Sequence, residues 1–372
     1  MCSSIDRLLA YQIGAGHTPG AVVHVERAGK VLAHQAAGLL DPARDDPMHD
    51  GALFRLASLS KAVVSVAALM QVGEGLLALD APAADYLPVL DGLRMKSGAR
   101  PDRAPTVRDL MRHTASLPYE SEITDAGLRD AGLKSDFAGR MPCVDAPAFI
   151  AALAERPLAM QPGRRFRYGY ATDVLGMIVA QVDGLSLGQS LTARIFGRLG
   201  MRDTGYEVPA SAQPRLASAC AADTAWQARV AGYGIRRPDR PWMESGGGGL
   251  VSTLGDYACF ARMLAAGGSH DGERLLSPAL FREISRNQLA ERDDGPIGFT
   301  GPGFGFGLGL AVRLDWGPAA MPCAAGELAW SGISGTALFV HPGERWFALS
   351  FTSNMASRMM ARMEFRRAVA LL

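Results

Sequence analysis

Apolar positions along the chain fall into two regimes. Near the N-terminus, Ser4 to Gly14 sets Leu8, Leu9 and Ile13 at helical spacing. The following stretch, AVVHVERAGKVLAHQAAGLL, holds two runs, Ala21 to Glu26 and Val31 to Gln35, on either side of Arg27-Ala28-Gly29-Lys30, which predicts a β-hairpin. From Leu53 to about Ala266 the helical period dominates. It covers Val64 to Leu79, Val107 to His113, Ala148 to Leu153, Asp173 to Val182, Ser190 to Leu199 and Asp256 to Leu264, with Gly- and Pro-bearing connections between many of them. Strand patterns return in GLGLAVRL near Leu308, in SGTALFVHP and in RWFALSFTSN, the last two joined at Pro342-Gly343-Glu344, and a helix from Ser357 to Leu372 closes the chain. A sheet drawn from both ends of the chain with helices between them is an α+β arrangement. The predicted division is a sheet domain from residues 1–65 and 267–372, with a mostly helical domain, 66–266, inserted.

Composition narrows the partners. The 372 residues are 48% apolar and 20% charged, the profile of an ordinary globular protein with a sizeable core. Lys plus Arg is 38 against 37 for Asp plus Glu, so the net charge of +1 gives no field to draw in nucleic acid or an acidic membrane, and a small molecule is the expected ligand. Five scattered cysteines, Cys2, Cys143, Cys220, Cys259 and Cys323, form no CxxC and read as buried small apolar residues rather than as a zinc site or disulfide framework. The longest apolar run, around Ala62 to Met70, is about half a membrane span. MCSSIDRLLAYQIGAG carries no basic-then-apolar leader, so the expected location is cytoplasmic. The oligomeric state is not readable.

Candidate chemistry centres on FRLASLSKAVVSVAALM, where Ser58 and Lys61 stand three residues apart at the head of an apolar helix. An S-x-x-K tetrapeptide arises by chance about once in such a chain, and Ser58 also suits a helix cap. Yet on a helix Ser58, Lys61 and Ser65 share a face. A lysine followed by Ala62, Val63 and Val64 is partly desolvated, which suits it to act as a base, and a helix N-terminus favours the negative charge that develops on an attacking serine. Gly184-Leu185-Ser186-Leu187-Gly188 fits G-x-S-x-G, but a helical pattern precedes it where a nucleophile elbow needs a strand, so Ser186 reads as a cap. The seven histidines form no HExxH, and neither a metal nor another cofactor is expected. Tyr168, in PGRRFRYGYATDVLG, follows a Pro-Gly turn and precedes a helix, from which a phenol can enter a cleft or merely pack a loop. The run SGGGGLVST lacks the Gly-Lys-Ser/Thr ending of a phosphate cradle and reads as close backbone packing ahead of a capping Ser252 or Thr253. Trp330-Ser331-Gly332 falls at the edge of a predicted strand.

Five segments in order, FRLASLSK, DLMRHTASLP, PGRRFRYGYATDVLG, GGGGLVSTLGDYACFARML and WSGISGTALFVHP, resemble the serine β-lactamase and penicillin-recognising superfamily, most closely the class C-like branch that includes the family VIII carboxylesterases. The resemblance implies an antiparallel sheet of five or more strands flanked by helices, an inserted helical domain, and a site in the groove between them. It implies Ser58 as nucleophile, Lys61 as its base, and Tyr168 hydrogen-bonding both and passing a proton to the leaving group. The oxyanion hole would be the backbone N–H groups of Ser58 and Ile333. Two departures bear on substrate. Trp330 stands where such proteins usually carry the lysine of Lys-Thr-Gly, and an indole offers one neutral N–H. Tyr168-Gly169-Tyr170 lacks the asparagine of Tyr-x-Asn, so Tyr170 would narrow or line the acyl pocket; Tyr119, just after HTASLP, would also line it, and Trp330, Ser331 and Gly332 would contact substrate along the strand. Both departures favour a neutral small or medium ester, split through an acyl-Ser58 intermediate. The alternatives are a β-lactamase, an amidase or peptidase acting on D-amino-acid substrates, an acyltransferase, or a non-catalytic binding protein on the same scaffold.

Overall fold

A computed structural model describes residues 3–117, 119, 145–218, 242–290 and 293–372. The strands are β1 (Gly20–Arg27), β2 (Lys30–Asp41), β3 (Asp46–Pro47), β4 (Leu53–Arg55), β5 (Val251–Thr253), β6 (Ser269–His270), β7 (Glu273–Arg274), β8 (Phe304–Phe306), β9 (Ala311–Arg313), β10 (Leu328–Ser331), β11 (Ala337–His341) and β12 (Trp346–Thr352). The framework is an eight-stranded antiparallel sheet in the order β3-β2-β1-β12-β11-β10-β9-β8, with β4-β5 and β6-β7 as separate two-stranded ladders. The two ends of the chain meet at its centre, where β1 pairs with β12 from Ala21↔Thr352 to Arg27↔Trp346. All of β12 and nearly all of β1 is buried, which requires cover on both faces. The expected hairpin turns at Ala28 and Gly29, both at positive φ (50° and 80°), the geometry whose twist matches a two-residue hairpin.

The principal helices are α1 (Ser4–Gly14), α2 (Ser60–Gly73), α3 (Val107–Met111), α4 (Ala146–Ala154), α5 (Ala171–Asp183), α6 (Leu187–Leu191), α7 (Leu254–Ala265), α8 (Pro278–Ser285) and α9 (Arg358–Val369). Helix α1 begins on a Ser3/Asp6 capping box and buries Ile5, Leu9 and Gln12, with the expected Leu8 and Ile13 only half-buried, because Gln12 takes an inner position by donating to the carbonyl of Ala361 on α9 at 3.2 Å. Helix α7 packs on the sheet through Tyr257, whose ring lies 5.7 Å from that of Phe351. Helix α2 is buried from Ser60 to Gln71, a helix packed on every side by the rest of the fold. It ends six residues before the predicted Leu79, at a turn where Gly75 takes φ 74°. The helix predicted over Ser190–Leu199 starts at Leu187 and passes through a wider turn over Thr192–Phe196. Ser186 caps it in a capping box with Gln189, as the sequence predicts. GLGLAVRL is a strand only from Ala311, because Gly307 donates to the Leu310 carbonyl to make a turn and Gly309, at φ 104°, packs on Ser65. Cys259 and Cys323 are half-buried free thiols rather than core residues, while Cys2, Cys143 and Cys220 lie outside the described residues. Among the described residues no single helix is long and apolar enough to cross a membrane.

Candidate active site

Two backbone features assemble the site. A short ladder, β4 (Leu53–Arg55) with β5 (Val251–Thr253), continued by Leu56 N–H donating to the Leu250 carbonyl at 2.8 Å, brings the glycine run beside the Ser58 segment. On the other side, Ser334 Oγ donates to the Arg55 carbonyl at 2.7 Å and Thr336 Oγ1 to the Leu56 carbonyl at 3.0 Å, which clamps the turn after β10 onto the same residues. A Cβ on Gly332 would stand 2.4 Å from the Leu56 carbonyl, so only glycine permits that approach. The sequence-predicted pair Ser58 and Ile333 is thereby carried on two segments held against one another.

Ser58 does not cap α2. It lies in a tight turn, Ala57–Leu59, ahead of the helix, and α2 has no side-chain cap at all. Ala57 holds φ 47°, a left-handed conformation costly for a residue with a Cβ, so the nucleophile candidate follows a strained residue. One turn on, Lys61 is 1% exposed and its Nζ is ringed by neutral oxygens. It lies 3.5 Å from Ser58 Oγ, 3.1 Å from the Tyr119 hydroxyl and 2.5 Å from the Gly247 carbonyl, to all of which it donates. Among the described residues no carboxylate lies within ion-pair distance of it.

Tyr168 departs from expectation. Its ring, not its hydroxyl, meets the lysine: Lys61 Nζ lies 4.8 Å from the ring centroid, and the buried Tyr168 hydroxyl has no hydrogen-bond partner among the described residues. The physical reason is ring packing. Tyr168 is gripped by His113 at 4.7 Å, Phe299 at 4.7 Å and Trp330 at 5.4 Å between centroids, and Tyr119 occupies the position beside Nζ. Tyr170 sits one ring further out, edge-on to Tyr119 at 4.7 Å. Trp330 is buried with its indole N–H unpaired among the described residues. Although β10 lies inside the sheet, its pairing with β9 stops at Ala329, so Trp330 and Ser331 form a free edge on that side.

Residues 5–372 match the Beta-lactamase family. The chain belongs to that family, and its fold is that of a β-lactamase-like hydrolase. Esterase EstB of Burkholderia gladioli is 33% identical over 364 residues, covering 91% of this chain and 87% of that protein. Protein Rv1367c of Mycobacterium tuberculosis is 35% identical over 337 residues, covering 87% and 82%. Among solved structures, EstCE1, described as a hydrolase with promiscuous acyltransferase activity, superposes with a TM-score of 0.83 at 25% identity, covering 98% of this chain and 97% of its own.

The candidate site also holds residues that the sequence did not single out. Arg362 of α9 donates to Ser331 Oγ, to the Phe299 carbonyl and to Met359 Sδ, and burial pulls its guanidinium down to about 10. The strand end that lacks a lysine thus has a guanidinium behind it. His113, fully enclosed and at φ 56°, backs Tyr168, and burial followed by the field of Lys61 pushes its imidazole well below the usual range, so it is neutral. Phe299, partly exposed, lies over Tyr168 and Trp330. Helical and strand periodicity carry no signal for these three, because each reaches the site across a long sequence separation.

Proposed function

We propose that this protein is a serine carboxylesterase that cleaves small or medium neutral esters through an acyl-Ser58 intermediate. The observation that carries the reading is the enclosure of Lys61 by Ser58 Oγ, Tyr119 and a backbone carbonyl. A lysine whose partners among the described residues are all neutral, with no ion pair among them, is able to trade a proton with the hydroxyl beside it. In the proposed cycle Ser58 Oγ attacks the ester carbonyl as Lys61 takes its proton, and the N–H groups of Ser58 and Ile333 hold the oxyanion. Tyr168, whose hydroxyl is unspent, passes a proton to the leaving alkoxide, and water then releases the acid and restores Ser58. The 3.5 Å Ser58–Lys61 separation is long for a hydrogen bond, as is common before substrate closes a site. The similarity to EstB, named an esterase, supports the substrate class.

The test is p-nitrophenyl butyrate hydrolysis by the wild type and Ser58→Ala. Loss of turnover with unchanged melting is expected; turnover that survives Ser58→Ala removes the assignment. Acyl transfer is a second reading, supported by the description of EstCE1. It predicts ester product in place of acid when a primary alcohol is added.

A further inference from the structure

Lys61 is anchored on a carbonyl that belongs to a segment with almost no side chains of its own. Gly247 lies within Ser245-Gly246-Gly247-Gly248-Gly249, and a run of glycines is the most freely moving backbone available. What immobilises it is a carboxylate. Asp173, in the first turn of α5 and 2% exposed, accepts from Ser245 Oγ at 2.5 Å and from Gly247 N–H at 2.9 Å, both through Oδ1. The fit is close. A Cβ at Gly246 would stand 2.5 Å from the Thr172 carbonyl, and one at Gly247 would stand 2.4 Å from Asp173 Oδ2. That second oxygen, Oδ2, has no hydrogen-bond partner among the described residues.

A buried carboxylate with one oxygen unsatisfied is a poor way to hold a loop for stability alone. Burial pushes its acidity toward the neutral form, and the field of Lys61 is the largest influence opposing that shift. Its geometric effect is specific: the residue whose N–H it takes is the residue whose carbonyl receives Lys61 Nζ. We propose that Asp173 is a positioning residue for the Ser58–Lys61 pair, clamping Gly247 so that the amine stands within reach of Ser58. The proposal rests on the acyl-Ser58 reading.

The experiment compares kcat and KM for p-nitrophenyl butyrate, with thermal melts, in the wild type, Asp173→Ala, Asp173→Asn, Gly247→Ala and Ser58→Ala. A displacement of about 1 Å at a catalytic group costs on the order of 100-fold, so Asp173→Ala is expected to lower kcat about 30- to 100-fold with KM within about threefold. Asp173→Asn keeps the Oδ1 acceptor and is expected to restore kcat to within about fivefold of wild type. Should Asp173→Ala not fold, Gly247→Ala breaks the same clamp from the other side and is expected to show the same loss in kcat. Wild-type kcat in either alanine variant, or a folded Asp173→Asn more than about tenfold slower than wild type, overturns the proposal. Turnover in Ser58→Ala is a different result and overturns the nucleophile assignment instead.

Discussion

Tyr119 and Tyr168 both stand at Lys61, and removing one oxygen from each is expected to move stability in opposite directions. The Tyr168 hydroxyl is buried without a partner among the described residues. An unsatisfied buried hydroxyl costs about 1–3 kcal/mol. Tyr168→Phe removes that cost and leaves a void of one oxygen, for a net gain of about 1 kcal/mol. The Tyr119 hydroxyl instead lies 3.1 Å from Nζ of a lysine that is 1% exposed. Tyr119→Phe deprives that buried amine of one of its acceptors, a loss of about 2 kcal/mol. The gap of about 3 kcal/mol corresponds to roughly 4 °C in Tm for a chain of this length. Activity follows a different order: a lost proton donor lowers kcat by about 10²–10⁴-fold, so Tyr168→Phe is expected to be the more stable and the nearly inactive variant. Calorimetry and initial rates on p-nitrophenyl butyrate read both effects. A Tyr168→Phe enzyme that melts as far below wild type as Tyr119→Phe refutes the reasoning, because the hydroxyl would then be paired in the resting enzyme. If Tyr119→Phe is the inactive one, the shuttle is Tyr119.

Other substitutions test the supports of the site. Asp109 is buried, a condition that raises its pKa, yet bonds from Arg103, Thr106, Thr114 and Arg112 outweigh burial and hold the carboxyl at about 2, below the ordinary 3.8. Its contribution of about 2 kcal/mol is therefore present above pH 4 and lost as pH falls toward 2, so Asp109→Asn is expected to destabilise at pH 7 and to narrow the gap to wild type in acid-unfolding curves. Ala57→Gly relieves the left-handed residue before Ser58 and is expected to raise stability by up to about 1 kcal/mol, whereas Ala57→Val is expected to lower it by at least that much in urea unfolding. Trp330→Ala opens the cluster with Tyr168, Phe299 and Phe306 at a cost of about 3–5 kcal/mol in the same assay. Trp330→Phe keeps a ring and sheds an unpaired N–H, and is expected to stay within about 1 kcal/mol of wild type.

Much of the framework was legible because it is written in local periodicity. The Ala28-Gly29 hairpin, the Ser186 cap and the close packing of the glycine run all follow from residues near in sequence. Local glycine turns account for the early end of α2 and the shortened strand in GLGLAVRL, whereas the misses at the site share another physical source, side chains whose partners are far along the chain. Ser58 looked like a cap because its neighbours are helical, but the strain at Ala57 and the ladder from Leu53 to Arg55 are set by residues near Val251, invisible in a local window. Tyr168 was expected to hydrogen-bond Ser58 and Lys61. Its orientation is decided instead by His113, Phe299 and Trp330, which arrive from three other segments. Arg362 carries no signal because which of the arginines on α9 turn inward, Arg362 and Arg366, is settled only once the helix is docked.

In the proposed esterase the end of β10 would set substrate class, and Arg362 makes that less simple than the loss of a lysine suggests. Its guanidinium stands beside Ser331, where Nη1 donates to Ser331 Oγ and Nη2 to the Phe299 carbonyl and Met359 Sδ, while the buried Nε has no partner among the described residues. To grip a substrate carboxylate through the donors already bonded it would have to release at least one of those bonds, at about 1 kcal/mol each, and through any donor it would have to draw the anion past the rings of Phe299, Trp330 and Tyr168. A neutral ester meets no such cost and gains about 0.8 kcal/mol for each methylene it buries against those rings. The expected outcome is a kcat/KM for p-nitrophenyl butyrate at least about 100-fold above that for a chromogenic cephalosporin, a gap of about 3 kcal/mol. Butyrate is also expected to exceed acetate by several-fold. A cephalosporin turned over faster than the ester, with that rate abolished in Arg362→Met, would show that the guanidinium reaches the anion after all and that Trp330 does not set the preference.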